Sequence, residues 1–289
     1  MTEGVHTERF APSPTGRLHL GHAFSAILAH DQARAAGGRF LVRMEDLDRG
    51  RVRDEFYQGI IDDLTWLRLK WDGPIERQSK RLALYRSALE TLITRGLTYF
   101  CTCSRRDIVD AASAPQEGSP MLGPDGLVYP GTCRTLGASE GTSAAIRLDL
   151  ERAINFLGGP EGLRRLDIVE TGLNAGTSAP ETDDLLSGTG DVVLRRRDGA
   201  PAYHLAVVVD DAAQGITRVT RGEDLAAAAP IQRILQALLG LPSTIYHHHR
   251  LIRDETGRRL AKRHDSLALA QLRRDGASPI DVRDLIGLH

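Results

Sequence analysis

The chain has 289 residues, 41% of them hydrophobic and 26% charged, with a formal net charge of −1. That balance excludes a disordered, fibrous or uniformly basic chain and fits one large globular domain with an insertion, or two domains. The opening MTEGVHTERFAPSPTG lacks an apolar core of secretory length, and no apolar run approaches the roughly 20 residues that span a bilayer, so a cytoplasmic location without membrane contact is expected.

In chain order, Arg9 and Phe10 lie in a short strand, followed by a Pro/Gly loop and a helix from about Leu20 to the Gly37–Gly38 stop. RFLVRMEDLD reads as a second strand, with Phe40, Val42 and Met44 alternating against Leu41, Arg43 and Glu45. Strand, helix, strand is the opening of a parallel α/β unit. Residues 54–96 carry helical spacing in Phe56, Ile60, Leu64 and Leu67, then in Leu82, Leu89 and Ile93.

From Tyr99 to about Gly190 the texture changes to Gly, Pro, Ser and Thr clusters with strand-like pieces such as AAIRLDL, which marks an insertion. Its least regular stretch, 105–128, is expected to hold a mobile loop. Beyond it RRDG reads as a hairpin turn between strands, the second carrying the strand-sized run LAVVVDD. ITRVTR reads as a strand, AAAAPIQRILQALLG as a helix, TIYHHHR as a strand, and the last 30 residues as helical. From His247 to Arg274 eight Lys/Arg face three Asp/Glu, a local excess able to meet phosphates.

Two groups of residues carry chemistry. In PSPTGRLHLGH, His19 and His22 stand one turn apart at the first helix mouth, where backbone amides and the helix dipole form an anion site that small residues leave open to a nucleotide. An HxxH pair alone also fits a structural role. Cys101, Cys103 and Cys133 are odd in number, unlike a secreted disulfide framework. Cys101 and Cys103 face one side of an extended segment, and Tyr129 and Cys133 follow across a Pro-Gly bend. Four such donors suggest structural zinc, with three unliganded cysteines as the alternative.

Over more than a dozen consecutive positions RFAPSPTGRLHLGH resembles the first ATP motif of the class I glutamyl-tRNA synthetases, and the likeness continues through RGEDL to RLAKR. The resemblance implies an α/β fold: a Rossmann-type parallel-sheet catalytic domain in two halves, 1–98 and 191–246. An inserted zinc-bearing α+β subdomain at 99–190 and a helical C-terminal region at 247–289 complete it. The resemblance also implies ATP contact along Pro12, Ser13, Pro14, Thr15 and Gly16, and at Gly21, His19 and His22. The two histidines would stabilise charge as the amino acid carboxylate attacks the α-phosphate of ATP, with Mg²⁺ expected. Lys262 falls where the second ATP motif places its phosphate-contacting lysine, although RLAKR has arginine for the motif's first lysine and alanine for its serine.

Arg9 and Arg221 fall where the family binds the carboxylates of L-glutamate, Glu45 where it receives the ammonium, and Ser13 and Tyr203 where hydroxyls complete the pocket. Which arginine holds which carboxylate stays open. Without the family likeness, Glu45 and Arg221 also fit a surface ion pair and Tyr203 a core aromatic. The CxC and YxxxC pattern resembles the zinc site of the enzymes that glutamylate a tRNA base, which implies one Zn²⁺ held by Cys101, Cys103, Tyr129 and Cys133.

The chain stops about 26 residues after RLAKR, without an anticodon-binding region. In this it is similar to the glutamyl-Q tRNA(Asp) synthetases. That likeness implies an enzyme that forms glutamyl-adenylate without tRNA, then passes glutamate to queuosine in the anticodon of tRNA(Asp); a monomer is expected, although sequence does not fix the oligomeric state. A truncated synthetase charging the 3′ end of tRNA(Glu), and a non-catalytic tRNA- or metabolite-binding paralogue, remain open.

Overall fold

The computed structural model of the chain describes residues 5–112, 122–124, 126–135, 143–252 and 268–288. Strand β1 (Thr7–Phe10) runs parallel to β2 (Arg39–Met44), with Thr7 opposite Arg39 and Phe10 opposite Val42, and helix α1 (Leu20–Ala35) crosses between them. Phe40 to Met44 are all buried, Arg43 included, so the alternation in β2 marks two covered faces, as a parallel strand requires. Residues 54–96 form α2 (Asp54–Trp66) and α3 (Leu82–Thr94), separated by β3 (Glu76–Arg77), which pairs in parallel with β2.

The chain then leaves this sheet. It forms β4 (Thr98–Cys101), α4 (Arg105–Ala112), the hairpin of β5 (Leu122–Gly123) and β6 (Gly126–Leu127), and β7 (Ala145–Leu148) antiparallel to β4. The rest of the expected mobile loop, 113–121 and 125, lies outside the described residues, as do Lys262 and the whole of RLAKR. Helices α5 (Leu150–Phe156) and α6 (Gly159–Leu163) lead to β8 (Ile168–Glu170) and its antiparallel neighbour β9 (Gly176–Ser178). Strand β10 (Val193–Arg195) pairs with β7. The chain ends through α7 (Tyr203–Ala213), β11 (Arg218–Gly222), α8 (Ala229–Leu239), β12 (Ile245–His249), α9 (Leu269–Arg274) and α10 (Pro279–Ile286).

Two features depart from the sequence reading: β8 and β9, within the expected insertion at 99–190, join the sheet of β11 and β12, and LAVVVDD is helical, inside α7, not a strand. His204 to Asp211 are buried all around the helix, and a segment covered on every side has the same unbroken apolar composition in either conformation. The RRDG turn does form, with Arg196 N donating to Ala200 O at 2.8 Å, but its return arm is a single bridge between Arg195 and Pro201.

Strands β11, β12 and β8 pair in parallel, and the chain just before β11 is tied to β1 by Thr217 N donating to Thr7 O at 2.9 Å. Parallel strands therefore spread both ways from the junction of β1 and β11. In open α/β sheets the crevice beyond the carboxyl ends of the strands at such a switch point is where ligands bind. One core joins Phe24 and Ile27 of α1 to Phe10, Phe40 and Leu64, with Val282 and Ile286 of α10 closing it. A second packs Leu92, Ile146 and Leu148 against Leu205, Val208 and Ile234. Burying each such side chain contributes about 1.5–3 kcal/mol, so both cores hold the strands that frame the crevice. No helix among the described residues is long and apolar enough to cross a membrane.

Candidate active site

A cleft of about 470 Å³ opens at this switch point. It is lined by Arg9, Pro12 and Ser13 at the end of β1, Glu45 at the end of β2, His19, Gly21 and His22 at the start of α1, Tyr203 at the start of α7, and Arg221 in β11. The imidazoles and guanidiniums singled out in the sequence thus share one cavity. Pro14, Thr15 and Gly16 are not among its lining residues; they shape the loop behind it, where Pro14 O accepts from Arg53 N at 3.2 Å and Thr15 N donates to Ser13 O at 2.8 Å.

At the α1 mouth, His19 is the N-cap: its Nδ1 accepts from Gly21 N at 3.1 Å, and His22 Nδ1 accepts from His19 N at 3.2 Å. Both rings accept at Nδ1, so in their neutral forms the proton sits on Nε2. The rings lie 3.8 Å apart, centroid to centroid. A Cβ on Gly21 would come within 3.1 Å of the His19 ring, so a larger residue there presses on the cap. No acidic residue occupies the first turn of α1, which leaves the positive end of the dipole to an anion.

The opposite wall is a buried charge network. Arg9 Nε donates to Asp211 Oδ1 at 3.2 Å, and Arg43 Nη1 donates to the same oxygen at 2.8 Å. Burial alone would push the Asp211 carboxyl up, but Arg9 and Arg43 outweigh it and hold it below its usual range. Glu45 lies 3.4 Å from Arg43 Nη2, and burial pushes its carboxyl above the ordinary value against the pull of Arg43 and Arg9. A cation that replaced the lost hydration would restore the charged carboxylate, which suits an ammonium.

Arg221 is 5% exposed and held on two edges: Nε donates to His248 Nε2 at 3.0 Å, while Nη1 donates to Gln232 Oε1 at 2.9 Å and Tyr203 OH at 3.4 Å. Its buried Nη2 has no hydrogen-bond partner among the described residues. An orphaned buried donor is costly unless an acceptor arrives, and a carboxylate entering the cleft is such an acceptor.

The sequence reading missed Asp211, Arg43, Gln232 and His248 as supports, and Ser25, Thr220, Asp224 and His249 as further cleft-lining residues. The run His247–His249 held one usable signal: alternation along a strand points His247 and His249 to one face and His248 to the other. His247 Nε2 and His249 Nε2 do meet α1, at Gln32 and Ser25, while His248 meets Arg221.

The cysteines form a separate site. The sulfurs of Cys101, Cys103 and Cys133 lie within 4.8 Å of one another, with Cys103 and Cys133 3.4 Å apart and Tyr129 OH 3.4 Å from Cys103 Sγ. Tetrahedral zinc with Zn–S bonds of about 2.3 Å sets sulfurs about 3.8 Å apart, so the donor set fits the ion with small adjustments. Burial pushes the Cys103 thiol up to about 11, whereas hydrogen bonds, chiefly from Tyr129, outweigh burial at Cys133 and bring it to about 7. Burial and its cysteine neighbours push the Tyr129 phenol far up, so this fourth donor stays neutral until a metal competes for its proton.

A family model described as tRNA synthetases class I (E and Q), catalytic domain, matches residues 4–128 and 180–288. The chain belongs to this family. It is 57% identical over 285 residues to the glutamyl-Q tRNA(Asp) synthetase of Rhodobacter capsulatus, covering 97% of this chain and 99% of that one. A protein of the same name from Nocardia farcinica is 45% identical over 285 residues, covering 96% of this chain and 82% of that one. Among solved structures, a glutamate tRNA ligase from Elizabethkingia meningosepticum in complex with its amino acid matches with a TM-score of 0.72 at 25% identity, over 91% of this chain and 53% of that one. The chain thus spans about half the length of that ligase. This class I synthetase is an enzyme of the ligase class with aminoacyl-tRNA synthetase-like activity, built on the parallel-sheet catalytic domain expected from its sequence.

Proposed function

We propose that the chain activates L-glutamate with ATP, without tRNA, and then transfers the glutamyl group to queuosine in the anticodon of tRNA(Asp). The observation that carries the first half is the single cleft that faces a helix-mouth anion site, with its paired imidazoles, toward Arg9, Arg221 and Glu45. In the first step a carboxylate oxygen of glutamate attacks the α-phosphorus of ATP, an acyl–phosphate bond forms and pyrophosphate leaves. His19 and His22, at the positive end of the α1 dipole, face the charge that develops on the phosphate, Mg²⁺ bound with the nucleotide would neutralise part of it, and catalysis is mostly positioning and electrostatic stabilisation. Pro12, Ser13 and Gly21 line the space for the nucleotide, with Pro14 to Gly16 shaping the loop behind them, and Lys262, outside the described residues, is proposed as the phosphate-contacting lysine. Arg9, Arg221, Ser13 and Tyr203 hold the two carboxylates, and Glu45 receives the ammonium.

The second half draws on the names of the relatives from R. capsulatus and N. farcinica. It also fits a second cavity of about 630 Å³ beside the cysteines, lined by Arg105, Arg147, Arg196 and Arg197, the charge a tRNA backbone requires. One Zn²⁺ on Cys101, Cys103, Tyr129 and Cys133 would order this region without entering the reaction.

ATP–pyrophosphate exchange with glutamate but no tRNA tests activation: exchange is expected with glutamate and not with glutamine or aspartate. Absence of exchange, or a strict need for tRNA, contradicts it. Radiolabelled glutamate should then appear on queuosine-containing tRNA(Asp) and not on queuosine-lacking tRNA(Asp). Label on the 3′ end of tRNA(Glu) instead would assign the chain to conventional charging.

A further inference from the structure

Arg221 and His248 are register partners across β11 and β12, so their side chains share one face of the sheet. His248 is 4% exposed. Its Nε2 receives the Arg221 Nε proton at 3.0 Å, and its Nδ1 lies 2.5 Å from Glu170 Oε2. An arginine Nε can only donate, so the His248 proton must sit on Nδ1, facing Glu170. The other carboxylate oxygen, Glu170 Oε1, accepts from Gly172 N at 2.7 Å and His248 N at 2.9 Å. A Cβ on Gly172 would fall 2.2 Å from His248 O, so only glycine lets this backbone approach.

Glu170 thus reaches Arg221 through the ring from β8. Around the ring stand Glu170 from β8, Arg221 from β11 and, from its own strand, Tyr246, stacked on it at 5.7 Å, while His247 faces the other side of the sheet. Burial and the Arg221 charge push the ring's pKa below its ordinary value, against the pull of Glu170. A doubly protonated ring would set an N–H against the Arg221 N–H.

We propose that Glu170 and His248 are positioning residues that fix the tautomer facing Arg221, and through it the orientation of the unpartnered Nη2 toward a carboxylate of the amino acid substrate. The substrate half rests on the reading of the cleft as a glutamate site. Glu170→Gln is the discriminating change because it is nearly isosteric. The two backbone donors hold the amide oxygen in place of Oε1, which turns the NH₂ toward His248 Nδ1. The ring must then carry its proton on Nε2, against Arg221.

In glutamate-dependent ATP–pyrophosphate exchange, Glu170→Gln and His248→Ala should each raise the glutamate KM about tenfold, the loss of one charge-assisted hydrogen bond, while kcat and the ATP KM stay near wild type. His248→Gln, which can offer an amide oxygen to Arg221 Nε, should recover much of the loss. Wild-type glutamate KM in both damaging variants overturns the proposal, and so does a parallel fall of kcat, both affinities and thermal midpoint, the mark of a purely structural role. Long-range ¹H–¹⁵N spectra of the ligand-free wild type read the tautomer without reference to activity: a proton on Nε2 of His248 overturns the arrangement. A proton on Nδ1 in a protein with no glutamate-dependent exchange upholds the arrangement and counts instead against glutamate as substrate.

Discussion

Arg221 shows how much of the site depends on the shape of one side chain. Its guanidinium serves His248, Gln232 and Tyr203 along two edges and still presents Nη2, a fork that a lysine ammonium cannot reproduce from a single point. Arg221→Lys keeps the charge and loses the fork. Its glutamate KM in pyrophosphate exchange should rise by about 100-fold, two charged hydrogen bonds' worth, with the ATP KM within about twofold of wild type. Equal loss of both affinities would show that Arg221 holds the fold rather than the substrate. Arg9, Glu45 and Arg221 were legible because each sits in a contiguous motif with a recognisable neighbour. Asp211, 202 positions from Arg9, and Glu170, 78 from His248, were not, because only the folded sheet brings them within reach.

At the scale of elements, α2 and α9 meet through an ion pair with an awkward carboxylate. Asp63 of α2 is buried, with Arg273 Nη1 of α9 at 3.4 Å, and burial pushes its pKa to about 6 despite that arginine. The folded-state value lies above the unfolded one of about 3.9, so the fold binds this proton more tightly. The stability linked to it is fully present below about pH 4 and is lost as pH rises through about 6. Asp63→Asn imitates the protonated form at every pH. Relative to wild type, its unfolding free energy should therefore rise by on the order of 2 kcal/mol between pH 4 and pH 8 in urea titrations, and a pH-independent difference would refute this linkage. The same scale shows where sequence patterning ran out. Helix α1 and strands β1, β2, β11 and β12 fall where turn signals and apolar runs place them, because each has a marked boundary. Helix α7 does not, because burial on all its faces erased the periodicity that distinguishes helix from strand.

Across the whole molecule, two sites stand on two supports. The cleft belongs to the crevice between β1 and β11, whereas the cysteines gather where β4 ends, on the antiparallel sheet of β4, β7 and β10, and none of the residues lining the cleft belongs to the cysteine cluster. If zinc orders the second region, its loss should separate the two half-reactions. Cys133→Ser removes one of the three sulfur donors of the cluster. The purified wild type should carry about one zinc per chain by elemental analysis and the variant far less. Glutamate-dependent pyrophosphate exchange should then survive within a few-fold, since no zinc ligand touches the cleft, while transfer to tRNA should fall by about 10–100-fold. A parallel collapse of exchange and transfer would mean instead that the two sheets fold as one cooperative unit, with the metal supporting both.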